Sequence, residues 1–147
     1  MAHTGKRGFR FIEHTADVII EAWAPSLEGA FEEAAKGVYE VMVDLKEVEP
    51  IIERKIETQG FDLENLLLRW LEELIILTDS EGLVFSEFKV EKIRGGGENY
   101  YLTGRCWGEK MDPSKHELKT HVKAITYSLM RVWQENGLWK VRFTIDI

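Results

Sequence analysis

The stretch Val122–Ile147, VKAITYSLMRVWQENGLWKVRFTIDI, decides how this chain is read. In its second half Trp139, Val141, Phe143, Ile145 and Ile147 alternate with Lys140, Arg142, Thr144 and Asp146, the period-two pattern of a half-buried strand. The first half is ambiguous. Its β-branched and aromatic residues suit a strand, yet Val122, Ile125, Thr126, Leu129, Met130 and Trp133 also fit a helix. Asn136-Gly137 between the halves decides for a strand over at least the second half of Val122–Trp133, because both residues tolerate the positive φ of a two-residue type I′ turn. A strand over Val122–Trp133 is therefore expected to double back as a β-hairpin. The sequence stops inside the second strand, which sets the terminal carboxylate beside Asp146.

Working back from that hairpin, Phe9–Ile12 and Val18–Ala24 read as strands, the second stopped by Pro25-Ser26. Ser26 is a good N-cap, with Glu28 facing the helix dipole, for a helix from Leu27 to about Val43-Asp44. Ile51–Thr58 reads as a strand closed by Gln59-Gly60. Asp62 then caps the clearest helix, whose apolar stripe runs Leu63, Leu66, Leu67, Trp70, Leu71, Leu74, Ile75 and Thr78. Its opposite face, Glu64, Asn65, Arg69, Glu72 and Glu73, is expected in solvent, and Asp79-Ser80-Glu81-Gly82 is expected to make the next turn. Strands over Leu83–Ile93 and Tyr100–Trp107 follow, joined by Gly95-Gly96-Gly97-Glu98-Asn99, and Met111–Glu117 reads as a loop. This order implies one α+β domain over residues 1–147, with two helices on largely antiparallel sheet. A strand–helix–strand–strand unit at about 50–109 sits inside a second such unit at about 9–44 and 122–147.

The chain has 147 residues, enough for a real core, and its 44% hydrophobic content with five Trp and seven Phe is globular. No apolar run is long enough to span a bilayer, and Met1–Gly8 lacks the apolar centre of a signal peptide, so the expected location is cytoplasmic. The single cysteine, Cys106, excludes an internal disulfide or cysteine metal cluster and reads as an inert half-buried thiol. A formal charge of −7 with scattered basic residues argues against a direct grip on nucleic-acid phosphate, though not against a partner that holds RNA.

Motifs for self-contained catalysis are missing. Gly95-Gly96-Gly97 lacks the Gly-Lys-Ser/Thr ending of a phosphate loop, Gly104–Gly108 is no nucleophile elbow, and there is no His-Glu-x-x-His. What remains is rich in oxygen. Asp17 opens one outer strand, and Asp146 with the Ile147 carboxylate closes another. If those strands are neighbours, three anionic groups converge and repel, which raises a pKa or demands a hard cation such as calcium, magnesium or manganese. The alternative is a solvated strand end with unrelated acids. His14 is either a structural histidine or, with Asp17 and Asp146, part of a metal-dependent phosphoester hydrolase site. Lys123 shares parity with Ile125, Tyr127 and Leu129, so it either seeks a carboxylate at the edge of an apolar face or reaches into water.

Taken together, several stretches resemble the archease family across essentially the whole chain. They are Glu13-His14-Thr15-Ala16-Asp17, the helix start Ser26-Leu27-Glu28 with Ala30-Phe31-Glu32, and Asp62-Leu63-Glu64 with Leu67 and Trp70-Leu71. Trp107-Gly108-Glu109, Lys115-His116, Val122-Lys123-Ala124-Ile125-Thr126-Tyr127 and the final Asp146-Ile147 complete the set. Ile19 and Ser128 depart from it, standing where many members carry glycine and histidine. The resemblance implies a protein cofactor rather than an enzyme, one that activates an RtcB-type RNA ligase. Such a ligase joins RNA 3′-phosphate or cyclic-phosphate ends to 5′-hydroxyls with GTP and manganese, as in tRNA splicing. The activator promotes guanylylation of the ligase histidine and repeated turnover. By the same resemblance Asp17, Lys123 and Asp146 match the activating residues, and Asp17, Asp146 and Ile147 the metal site.

Overall fold

The computed structural model describes residues 6–12 and 17–147. Ten elements follow in order: β1 Gly8–Ile12, β2 Val18–Ala24, α1 Leu27–Met42, a 3-10 turn Leu45–Glu47, β3 Ile52–Gly60, α2 Leu63–Glu81, β4 Leu83–Gly96, β5 Asn99–Lys110, β6 Ala124–Glu135 and β7 Leu138–Asp146. The strands form two antiparallel sheets, β1-β2-β7-β6 and β3-β5-β4. Each helix packs against strands of both sheets. The α+β expectation and the nesting of one strand–helix–strand–strand set within another are what the topology shows.

Local chemistry sets the boundaries. Ser26 Oγ accepts from Gly29 N at 3.0 Å, and Asp62 carries the matching role at α2, accepting from Asn65 N at 2.7 Å. The buried faces of the helices meet at Trp70, fully enclosed, whose Nε1 donates to Phe31 O at 3.0 Å. Tyr39 is equally enclosed; its hydroxyl donates to Leu74 O at 2.9 Å, and burial pushes its phenol pKa up. The second helix runs past the expected turn at Asp79-Ser80-Glu81, to Glu81. Ser80 Oγ bonding Ile76 O and Glu81 pairing with Arg54 on β3 hold the added turn, and Gly82 at φ 69° ends it. Gln59 and Gly60 belong to β3 instead of closing it. At Gly60 a Cβ would stand 2.5 Å from Leu66 N, because the start of α2 crosses the strand there. The expected five-residue glycine connection shrinks to Gly97-Glu98, with the flanking residues in β4 and β5.

The terminal hairpin forms as expected, with Asn136 at φ 54° and Gly137 at φ 77°. What the alternation missed is a large bulge in β6. Pairing runs Ala124↔Asp146, Ile125↔Ile145 and Thr126↔Thr144, then resumes at Arg131↔Arg142, so Tyr127–Met130 stand against Phe143 alone. The three extra residues invert the strand's parity. Ile125 and Val132 therefore both pack against the core although they are seven positions apart, a helical interval, which is why the segment imitated a helix. Lys123 keeps parity with Ile125 only; Tyr127 and Leu129, expected on the same apolar face, are about half exposed. The bulge is framed on all sides. Thr144 Oγ1 donates to Ser128 O at 2.7 Å and Arg142 Nε to Leu129 O at 3.1 Å. From the helix, Glu64 accepts from Val132 N at 3.1 Å and Asn65 donates to the Tyr127 hydroxyl. Glu64 and Asn65, expected on the solvated face of α2, are half-buried braces for β6.

Candidate functional site

The four-stranded sheet brings most of the sequence candidates to one end. Val18, the first residue of β2, pairs with Ile145, so Asp17, just before that strand, lies beside the end of β7 that carries Asp146. Asp146 lies on the face of β7 away from Phe143 and Ile145, which are fully buried under α1 with Ile20. On the other flank of β7, Lys123 N donates to Asp146 O at 2.8 Å as the chain enters β6. Asp17 is half-buried, while Lys123 and Asp146 are exposed and Ile147 is 37% exposed just past the strand. Lys123 meets Asp146 through its backbone. Among the described residues no ion pair includes Asp17, Asp146 or Lys123, and no three His, Cys, Asp or Glu are grouped to hold a metal. Glu13 and His14 lie outside the described residues.

Two carboxylates at one sheet end are a fitting partial donor set for a hard divalent cation, which takes oxygen ligands and offsets like-charge repulsion. They need a further oxygen donor to complete a site. The Ile147 carboxylate, from the neighbouring residue, is the one the sequence suggests.

A second polar cluster escaped sequence reasoning. The His116 side chain is fully buried; its Nδ1 accepts from Asp112 N at 2.9 Å, which leaves Nε2 to donate to Glu109 Oε2 at 2.9 Å. Burial alone would raise the Glu109 pKa, but the Glu49 N–H, His116 and Lys115 together hold it down at about 2. This cluster clips the 111–117 loop onto β5 and the approach to β3. Only the Glu109…Lys115-His116 spacing hinted at it. Cys106, expected half-buried, is fully enclosed, and its thiol is pushed up to about 12 by burial. A groove of about 270 Å³ lies elsewhere, lined by Met42, Thr78, Met111, Leu118, Lys119 and neighbours, and contains none of the candidate residues.

Two antiparallel sheets sharing two helices, with two acids at one sheet end, define a small α+β domain whose candidate site lies on a sheet end and outside the groove. The chain belongs to the archease family: residues 9–147 match the Archease protein family (MTH1598/TM1083). It is 51% identical over 140 residues to "Protein archease" of Aeropyrum pernix, covering 95% of this chain and 97% of that one. The archease of Pyrococcus furiosus is 45% identical over 142 residues, covering 96% and 99%. Among solved structures, protein 1598 of Methanobacterium thermoautotrophicum superposes with a TM-score of 0.84 at 40% identity, covering 95% of this chain and 99% of its own. An archease of Thermotoga maritima, titled a possible chaperone, shares the fold at TM-score 0.57 and 22% identity, covering 92% and 94%. None of these names states an enzymatic activity. No helix among the described residues is long and apolar enough to cross a membrane.

Proposed function

We propose that this chain is an activator protein for an RtcB-type RNA ligase, working in tRNA splicing or RNA repair by promoting guanylylation of the ligase histidine and repeated turnover. The observation that carries the reading is the meeting of Asp17, Asp146 and Lys123 at one end of the four-stranded sheet. The resemblance had singled out these residues from three distant parts of the sequence.

In this proposal Asp17, Asp146 and the Ile147 carboxylate supply oxygen donors for a divalent cation, calcium, magnesium or manganese. When bound, that ion supplies positive charge for a nucleotide phosphate at the ligase. The pairing of β2 with β7, which brings Asp17 near the strand end that carries Asp146, supports this reading. Lys123, exposed at the same sheet end and joined to Asp146 through its backbone, would meet a phosphate or orient an acid. A net charge of −7 fits a division of labour in which the ligase grips the RNA. A cytoplasmic setting follows from that partner.

The test is ligation by the cognate ligase with limiting enzyme and excess RNA, with and without this chain. Stimulated multiple turnover supports the proposal, and no change in rate or turnover number refutes it. The hydrolase alternative depends on His14 joining the two aspartates. Phosphoester hydrolysis by the purified chain with manganese, lost on Asp17→Ala, would replace the activator reading.

A further inference from the structure

We propose that the outer surface of the β6 bulge is where this chain docks its partner protein, Leu129 and Tyr127 entering an apolar pocket while Arg131 and Arg142 meet carboxylates. The inference rests on the reading that the chain acts through a partner protein, and it assigns the surface that reading leaves open.

Three features of the bulge are unfavourable for the isolated domain. Leu129 sits at φ 60°, a left-handed conformation that crowds any Cβ and that Gly or Asn adopts more readily. Its side chain is 53% exposed and that of Tyr127 50%, so neither repays the bulge with full burial. Arg131 and Arg142 stand directly opposite each other, like charges on paired positions. Both guanidinium groups lie over the Trp133 ring, at 4.4 and 5.7 Å from its centroid. Among the described residues neither forms an ion pair, unlike Arg7, Arg10, Arg54 and Arg105, and Arg131 feels Glu135 only at longer range. Yet the bulge is held firmly by Thr144, Arg142, Glu64 and Asn65. A framed, strained, exposed element gains its energy from something outside the domain.

Tyr, Trp and Arg clustered around an apolar protrusion match the composition of protein-interface hot spots. Arginine over an aromatic ring also suits nucleic acid, but an exposed leucine reads no base and the domain's net charge of −7 opposes phosphate. The bulge is continuous with the candidate site. Thr144, which holds Ser128, is two residues from Asp146 on β7, so a partner seated on the bulge meets the two aspartates beside it.

Affinity for the purified ligase, measured by titration calorimetry with the full chain, tests this directly. Leu129→Asn should melt at or above wild type and bind at least roughly tenfold more weakly; Arg131→Glu should lose a similar factor. Asp146→Asn should lose stimulation of ligation by a larger factor than it loses affinity. Wild-type affinity in both Leu129→Asn and Arg131→Glu, with wild-type chain still stimulating, overturns the docking surface and leaves the activator reading standing. Absence of binding and stimulation by wild type overturns both. Binding of single-stranded RNA by the chain alone, abolished by Arg131→Glu, or a self-dimer dissolved by Leu129→Asn, assigns the surface to another occupant and also overturns it.

Discussion

Two tryptophans on the outer faces of the two sheets are set among similar residues and put to different ends. On β5, Trp107 Nε1 donates to Glu53 Oε1 at 3.0 Å, and the same glutamate pairs with Arg105, which also reaches Glu91 at 3.1 Å. Glu53, Arg105 and Glu91 are closed on one another. On β6, Trp133 Nε1 donates to Glu135 at 3.0 Å, but Arg131 and Arg142, both lying on its ring, form no ion pair among the described residues. At the end of that same sheet stand two acids, Asp17 and Asp146, also outside any ion pair among the described residues. A surface whose charges are closed internally explains itself through stability. A surface with open charges of both signs, on a strained frame, calls for something bound.

That contrast has a steep consequence for substitution. Gly108 on β5 has no room for a side chain, since a Cβ would stand 1.8 Å from Val84 O. Gly108→Ala should cost about 3 kcal/mol or more in chemical denaturation, because backbone has to move. In the β6 bulge, Leu129→Asn should cost nothing measurable in the same experiment. Comparable losses at the two positions would erase the distinction between a sheet built for stability and one built for contact.

A smaller effect separates the brace from the bulge it holds. Glu64→Ala leaves the Val132 N–H without its partner and should cost about 1–2 kcal/mol. Because the bulge loosens, ligase affinity should fall as well. Unchanged affinity would mean that the bulge holds its shape without α2.

The smallest effect lies far from the partner-facing sheet. The Glu109 carboxyl, held at about 2 in the fold, ionises below the usual carboxylate range. Its unfolded form therefore binds a proton that the folded form lacks between roughly pH 4.5 and 2. The stability this group contributes is full above pH 4.5 and disappears as pH falls toward 2. Melting curves of wild type and Glu109→Gln should diverge at neutral pH and converge at the acid end; parallel curves would remove Glu109 from the acid limb.

Both helices and the closing hairpin were readable because each depends on neighbours in sequence: 3.6-residue periodicity, side-chain caps at Ser26 and Asp62, and an Asn-Gly turn. The bulge was not, since inverted parity across Tyr127–Met130 produces the same spacing as a helix. Glu64 and Asn65 looked solvated because periodicity marks only the apolar stripe and is blind to what another element brings alongside. The same limit governs the site. Pattern marked Asp17, Lys123, Asp146 and Ile147 as candidates and the resemblance gave them roles, but bringing Asp17 to the end of β7 required the β2–β7 pairing, a contact between the two ends of the chain. The His116–Glu109 contact depends on a loop fold that no local pattern announces.

The most direct test of the account is multiple-turnover RNA ligation by the cognate ligase with wild type, Asp17→Asn, Asp146→Asn and the double variant, each with its thermal melt. Removing charge while keeping shape should abolish stimulation and leave the melts within a few degrees of wild type, because neither aspartate is ion-paired within the described fold. Full stimulation by the double variant, with the fold intact, would contradict the claim that the two acids are the working end of this protein.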